Sequence, residues 1–246
     1  MNEFQNFRED NLTDSEEQER ILTFINSMNV RNTAFLRERE EEALAENIPI
    51  IRPQTQSLIR FFLDLVHPDS ILEVGTATGF SSLFMLSYAP YAAITTIERD
   101  GDRIIRARQN FERGHAAGLP VDRIRLLEGD AAGILPTLQD SYRLVFMDAA
   151  KGQYIHFLPE VKRLLAPQGI LLSDNIFKEG EILRSRFAVR RRDRTIHKRM
   201  REYLTALTED PDFTTLLLQE GDGAAVSVLH AEPADTAGSR RVNEKT

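Results

Sequence analysis

The run Glu73-Val74-Gly75-Thr76-Ala77-Thr78-Gly79 carries two glycines, which let a backbone turn tightly and approach a bound molecule closely. Set between a strand and a helix, such a run aims helix amides at the ligand. Its spacing, E-x-G-x-x-x-G, differs from the G-x-G-x-x-G of dinucleotide binders, so a pyrophosphate is the weaker reading. About 20 residues on, Glu98 ends the segment AITTIE, where a carboxylate accepts both hydroxyls of a ribose. Asp130-Ala131 follows IRLLEG, a place from which an adenine edge is read. Two further points carry hard oxygen donors: Asp148 closes VFMD, and Asp174-Asn175 closes LLSDN. Two carboxylates and an amide oxygen suit Mg²⁺, or Ca²⁺ or Mn²⁺, with water or substrate completing the shell. Taken singly, each glycine is a turn residue and each aspartate a surface group or a helix cap. Their recurrence at successive segment ends makes them a site.

The elements that must position these residues have a regular rhythm. SILEV (70–74), AITTIE (93–98), IRLLEG (124–129), RLVFMD (143–148) and GILLSDN (169–175) are short apolar runs. Helical segments separate them: one ending near Tyr88, 102–117, a short helix after 130, and 154–165. Such alternation predicts βαβ units and a mostly parallel sheet covered on both faces. In that arrangement the strand ends open into one crevice, where Asp148, Asp174 and Asn175 converge. A basic helical stretch then runs to about Thr208, followed by FTTLLLQ (213–219) and AAVSVLH (224–230). Only EGDG joins those two, which suits an antiparallel hairpin rather than a crossover. The expected fold is a doubly wound α/β sheet of seven strands, mostly parallel, with an antiparallel last strand. Helices are expected at 15–26, 31–46 and 55–66, the second heavily charged, after which Pro49 and Pro53 mark an extended link.

Composition sets limits on the rest. The chain has 246 residues, 41% of them hydrophobic, enough for one sizeable core and too few for two large domains. The expected organisation is an acidic tail over 1–14, one domain over 15–231 and a polar tail over 232–246, with N-terminal helices at 15–47 and the α/β core at 48–231. Cysteine is absent, which excludes disulfides and thiolate metal sites. The N-terminus lacks the basic flank and apolar run of a signal peptide, and no run of about 18 apolar residues is present, so no membrane span and a cytoplasmic location are expected. Net charge is −7, but the first 46 residues hold twelve acids and five bases, so the remaining body is neutral.

The glycine loop, Glu98 and Asp130 together resemble the class I S-adenosylmethionine-dependent methyltransferases, over roughly residues 48–230. That resemblance implies a Rossmann-like seven-stranded sheet with a reversed last strand. DAAKGQY (148–154) and SDN (173–175) sharpen it to the catechol and caffeoyl-coenzyme A O-methyltransferase group. Membership implies that Asp148, Asp174 and Asn175 bind a divalent cation, Mg²⁺ or another, which holds two vicinal substrate oxygens. It implies Lys151 as the base, and a cofactor pocket lined by Ile51, Ser81, Glu98, Asp130 and Ala131, with Glu73, Gly75, Thr76 and Asp148 beside them. The chemistry is consistent: a cation lowers the pKa of a ring hydroxyl and orients its attack on the sulfonium methyl. Lys151 can take the proton if the metal lowers its own pKa.

One stretch distinguishes this chain within that group. Residues 184–201, RSRFAVRRRDRTIHKRMR, hold nine arginines and lysines, one histidine and a single acid. A solvated helix, or a partner for the acidic N-terminal helices across a homodimer, is the plain reading. The functional one is a phosphate-binding surface of Arg184, Arg186, Arg190, Arg191, Arg192, Arg194, His197, Lys198 and Arg201, with Phe187 free to stack. NIFKEGEI followed by FAVRRRDRTIHKRMREYL resembles the bacterial tRNA 5-hydroxyuridine O-methyltransferases. That resemblance implies a wobble uridine in a tRNA anticodon stem-loop as acceptor, its O5 and O4 vicinal for one metal. The alternatives are a small-molecule catechol or phenol O-methyltransferase, a nicotinamide-dependent dehydrogenase, disfavoured by the loop spacing, and a non-catalytic RNA-binding module, which would not need Asp148, Asp174 and Asn175.

Overall fold

The structure is a computed structural model that describes residues 14–28, 32–177, 182, 189–219 and 222–231. The chain divides into two compact units, Met1–Thr33 and Ala34–Thr246. In the first, helix α1 (Asp14–Met28) exposes Ile21, Leu22, Phe24, Ile25 and Met28.

The second unit contains α2 (Ala34–Ala45), α3 (Pro53–Val66), β1 (Ser70–Val74), α4 (Phe80–Tyr88), β2 (Ala93–Glu98), α5 (Gly101–Ala116), β3 (Ile124–Glu128), α6 (Ala131–Ile134), β4 (Tyr142–Met147), α7 (Tyr154–Leu164), β5 (Leu165–Asp174), α8 (Arg194–Glu209), β6 (Phe213–Leu218) and β7 (Ala224–Leu229). The strands form one sheet in the order β3-β2-β1-β4-β5-β7-β6. β1 to β5 pair in parallel, and β7 runs antiparallel to both β5 and β6. The expected reversed strand is therefore β7, placed between β5 and the edge strand β6. β5 starts earlier than the apolar run at 169, because Leu165 pairs with Tyr142 before a register shift.

Side-chain alternation divides the core into two layers. Leu72, Val74, Val145, Met147 and Leu171 face α7 and α8, in a cluster with Val161, Tyr203 and Leu207. Ile71, Ile94, Leu144, Phe146 and Leu172 face α3 and α4, in a cluster with Ile59, Leu63 and Leu83. Both faces are thus sealed, which is why the strands place apolar residues on both faces instead of alternating apolar and polar.

The strand order reverses between β1 and β4, and loops from those two strands part to opposite faces there. Doubly wound sheets bind their ligands at this switch point. Gly75 (φ +106°) lies in the crevice, where a Cβ would stand 2.1 Å from the carbonyl oxygen of Asp148. Only glycine lets the loop after β1 pass this close to the loop after β4. Among the described residues no helix is long and apolar enough to cross a membrane.

Candidate active site

A cavity of about 620 Å³ opens at the switch point. Ile51, Gly75, Glu98, Ala131 and Asp148 line it, and Asp174 and Asn175 share the same wall. Residues expected at a cofactor and residues expected at a metal therefore meet in one space.

Glu98 ends β2 and is nearly buried. Its Oε2 accepts from Ala77 N at 2.9 Å, and its Oε1 accepts from Arg99 N and Asp100 N at 2.9 and 3.0 Å. The carboxylate thus ties the glycine loop to the end of β2 on the wall of the cavity. Glu73 and Thr76 lie beneath the loop rather than on its ligand side. Thr96 Oγ1 and Ser82 Oγ donate to Glu73 Oε2, and Thr76 Oγ1 bonds Thr96 Oγ1 at 2.6 Å. Among the described residues Glu73 Oε1 is buried with no hydrogen-bond partner. Burial pushes the Glu73 carboxyl above its ordinary range, against the hydroxyls of Ser81, Ser82 and Thr96, while Asp148 adds to the rise. Ser81 is buried in the first turn of α4. Asp130 is exposed and caps α6: Oδ1 accepts from Ala132 N at 2.9 Å, and Oδ2 pairs with Arg99 Nη1 at 3.1 Å. These two contacts hold its pKa low, the backbone bond most of all.

Asp148, Asp174 and Asn175 form a tight cluster. Asn175 Nδ2 donates to Asp148 Oδ1 at 3.1 Å, and Asn175 N donates to Asp174 Oδ1 at 2.8 Å. Asn175 has φ +60°, a left-handed conformation that asparagine tolerates well, and it turns the side chain back toward Asp148. Thr55 Oγ1, from the first turn of α3, donates to Asp174 Oδ1 at 3.2 Å. Burial raises the Asp148 carboxyl, opposed by Asn175 and by the positive charges of Lys151 and Arg103. Asp174 is pushed up to about 6, by burial first and then by Asp148. A buried and a half-buried carboxylate that repel each other are a costly arrangement that a cation relieves. A half-turn of the amide presents Oδ1 of Asn175 as third oxygen. Among the described residues no group of three His, Cys, Asp or Glu side chains gathers to hold a metal, so the donor set here depends on that amide.

Lys151 opens the short turn Lys151–Gln153 after β4. Helix α8 packs against this turn: Arg199 Nη1 donates to Gly152 O at 3.2 Å. Along the basic segment, Arg190, Arg191, Arg192, Lys198 and Arg201 are exposed. Asp193 pairs with Arg190 at 3.1 Å and Arg192 at 3.6 Å, while Lys198 pairs with Glu202. Arg194 Nε donates to Val189 O, and Arg201 Nη1 donates to Ile182 O. His197 is only 7% exposed, so the side chain expected to face a phosphate turns mainly inward with the core side of α8. Arg184, Arg186 and Phe187 lie outside the described residues.

Several site residues were not evident from sequence. Arg52 Nη2 pairs with Asp222 Oδ2 at 2.9 Å on the cavity rim, across 170 residues of chain. Thr55 is such a residue too, and no local pattern marks either.

Fold and site together define a Rossmann-like methyltransferase architecture. The O-methyltransferase family model matches residues 26–229, and the chain belongs to that family. A Mycolicibacterium vanbaalenii protein with a provisional O-methyltransferase name is 30% identical over 79% of this chain and 83% of its own. A catechol O-methyltransferase of Niastella koreensis is 28% identical, over 54% of this chain and 61% of its own. The SAH-bound structure of the Podospora anserina methyltransferase PaMTH1 superposes with a TM-score of 0.77 at 25% identity, covering 89% of this chain and 97% of that one.

Proposed function

We propose that the protein methylates an oxygen of a hydroxylated wobble uridine in tRNA, converting 5-hydroxyuridine to 5-methoxyuridine with S-adenosylmethionine as donor. The SAH in PaMTH1 supports the donor. In this reading Glu98 accepts the ribose hydroxyls, while Ile51 and Ala131 pack against the rest of the nucleoside. Asp148, Asp174 and Asn175 would hold a divalent cation, which when bound lowers the pKa of the acceptor hydroxyl and grips its vicinal oxygen. Lys151, in its neutral form, takes the acceptor proton. The acceptor oxygen then bonds to the methyl carbon as the carbon–sulfur bond breaks, leaving the electron pair on a neutral thioether. The cavity walls hold the two reactants in line, which contributes much of the acceleration.

The observation that carries the acceptor class is the packing of basic helix α8 on the turn that bears Lys151. A polyanion held by Arg190, Arg191 and Lys198 would lie along the segment whose helix packs on that turn. Net charge of −7 does not oppose this, because screening over about 8 Å at physiological salt leaves the local patch dominant. The name of the Niastella relative favours a second reading, a catechol as acceptor. Incubation with labelled donor and either tRNA bearing wobble 5-hydroxyuridine or free catechol separates the two. Labelled tRNA with a steep loss at high salt is expected. Label in catechol alone would overturn the tRNA reading.

A further inference from the structure

The ladder between β4 and β5 ends at the pair Met147–Ser173. The next residues outward on the two strands are Asp148 and Asp174, so the two carboxylates project from ends that the parallel ladder no longer joins. Tyr154, the first residue of α7, is fully buried directly behind this gap. Its hydroxyl lies 3.1 Å from Met147 O and 3.1 Å from Asp174 O. A phenol has one proton to give, so one donor is shared between the last carbonyls of two strands. Tyr203, from α8, meets the Tyr154 ring edge-on at 5.4 Å. Its own hydroxyl is 2.5 Å from Ser173 Oγ, one residue before Asp174.

We infer that Tyr154 is a positioning residue that sets the spacing between Asp148 and Asp174, and that Tyr203 holds it in place from the basic helix. The inference rests on the proposed metal reading. A tyrosine that merely filled the core would be replaceable by phenylalanine, which keeps the ring. Removing the hydroxyl here frees both carbonyls at once, and the strand ends can then separate beneath the ligands. Groups that orient metal ligands from behind typically change affinity by about 10- to 100-fold when removed. The placement also connects α8 to the site: Tyr203 and Arg199 both lie on that helix, one bonded behind Asp174 and the other to the Lys151 turn.

The test uses the full chain and Mn²⁺ alone, with free Mn²⁺ read by its paramagnetic resonance signal. Tyr154→Phe is expected to weaken Mn²⁺ binding about tenfold or more while S-adenosylmethionine affinity stays within twofold. Val161→Ala, a cavity in the same helix and core layer, is expected to lower the melting temperature but leave Mn²⁺ affinity alone. Should Tyr154→Phe not fold, Tyr203→Phe, which removes only the bond to Ser173, is expected to weaken Mn²⁺ severalfold. Parent-like Mn²⁺ affinity in Tyr154→Phe, or equal weakening in Val161→Ala, overturns the inference and leaves the metal reading standing. If the parent itself binds no Mn²⁺, the metal reading falls and this inference with it.

Discussion

Gly75→Ala is the sharpest probe of how the two halves of the site are joined. The added Cβ would stand 2.1 Å from Asp148 O and 2.9 Å from Asp148 C, where real Cβ contacts stay beyond 3.0 Å. The two loops must therefore separate by about 1 Å, or the backbone at 75 must abandon its φ of +106°. Holding an L-residue in such a conformation costs about 1–3 kcal/mol, and overpacking adds a similar amount. For a domain of this size each kcal/mol lowers the melting temperature by roughly 2–4 °C. A cost carried wholly by the fold would therefore lower melting by about 4–24 °C. If the loops part instead, the loss moves to binding, because the glycine loop and Asp148 both line the cavity proposed for donor and cation. Scanning fluorimetry and calorimetry with S-adenosylmethionine, run on the same preparation, follow both routes. A variant that melts with the parent and binds the donor with parent affinity would show that glycine does not set the distance between these loops.

Four other outcomes are expected. Glu98→Ala should weaken S-adenosylmethionine binding by roughly 1.5–3 kcal/mol, the value of bonds to a charged group; unchanged calorimetric affinity would refute the ribose assignment. Chelation should abolish methyl transfer and Mg²⁺ or Mn²⁺ should restore it, so full turnover in excess chelator rules the metal out. Replacing Arg190, Arg191 and Arg192 together with alanine should damage tRNA methylation at undiminished donor affinity; a triple variant as active as the parent on tRNA leaves the segment a solvated face. Glu73 has a folded-state pKa raised above its unfolded value, so its contribution to stability falls as pH rises past about 4.3, where the unfolded chain ionises first. Relative to the parent, Glu73→Gln should therefore gain stability as pH rises above about 4.3 in denaturant titrations, and a difference constant with pH would contradict the burial effect.

Most of the fold was legible because both faces of the sheet are covered. SILEV, AITTIE and LLSD carry buried residues on both faces, and each ends where a functional group begins. Glu98, Asp148, Asp174 and Asn175 followed from topology, since parallel strands send their ends to one edge, whereas Ile51 followed only from the family resemblance. Orientation within the loop was less legible. Glu73 shares its strand face with Ile71, which turns it under the loop toward Ser82, and the alternation that says so was masked by its place in a glycine motif. Asp130 precedes a helix and fulfils the ordinary cap role that its position allows. Thr55, across 119 residues from Asp174, and Arg52, across 170 from Asp222, depend on tertiary distance that no local pattern encodes. His197 was counted with its charged neighbours, but α8 is amphipathic, and its position falls with Met200, Tyr203 and Leu207 on the inward stripe.

The reversed strand β7 has a consequence for how the family can change its acceptors. β6 rises toward the crevice edge and β7 returns at once, so the turn at Asp222–Gly223 forms part of the wall without a helix behind it. Gly223 O and Asp222 O accept from Ile176 N and Phe177 N, which fastens the backbone just past Asn175 to that turn. A hairpin tip can gain or lose residues while the registers of β5, β6 and β7 stay as they are. Remodelling here would reshape the space over Asp174 and Asn175 and leave the half of the cavity built from the ends of β1 and β2 untouched.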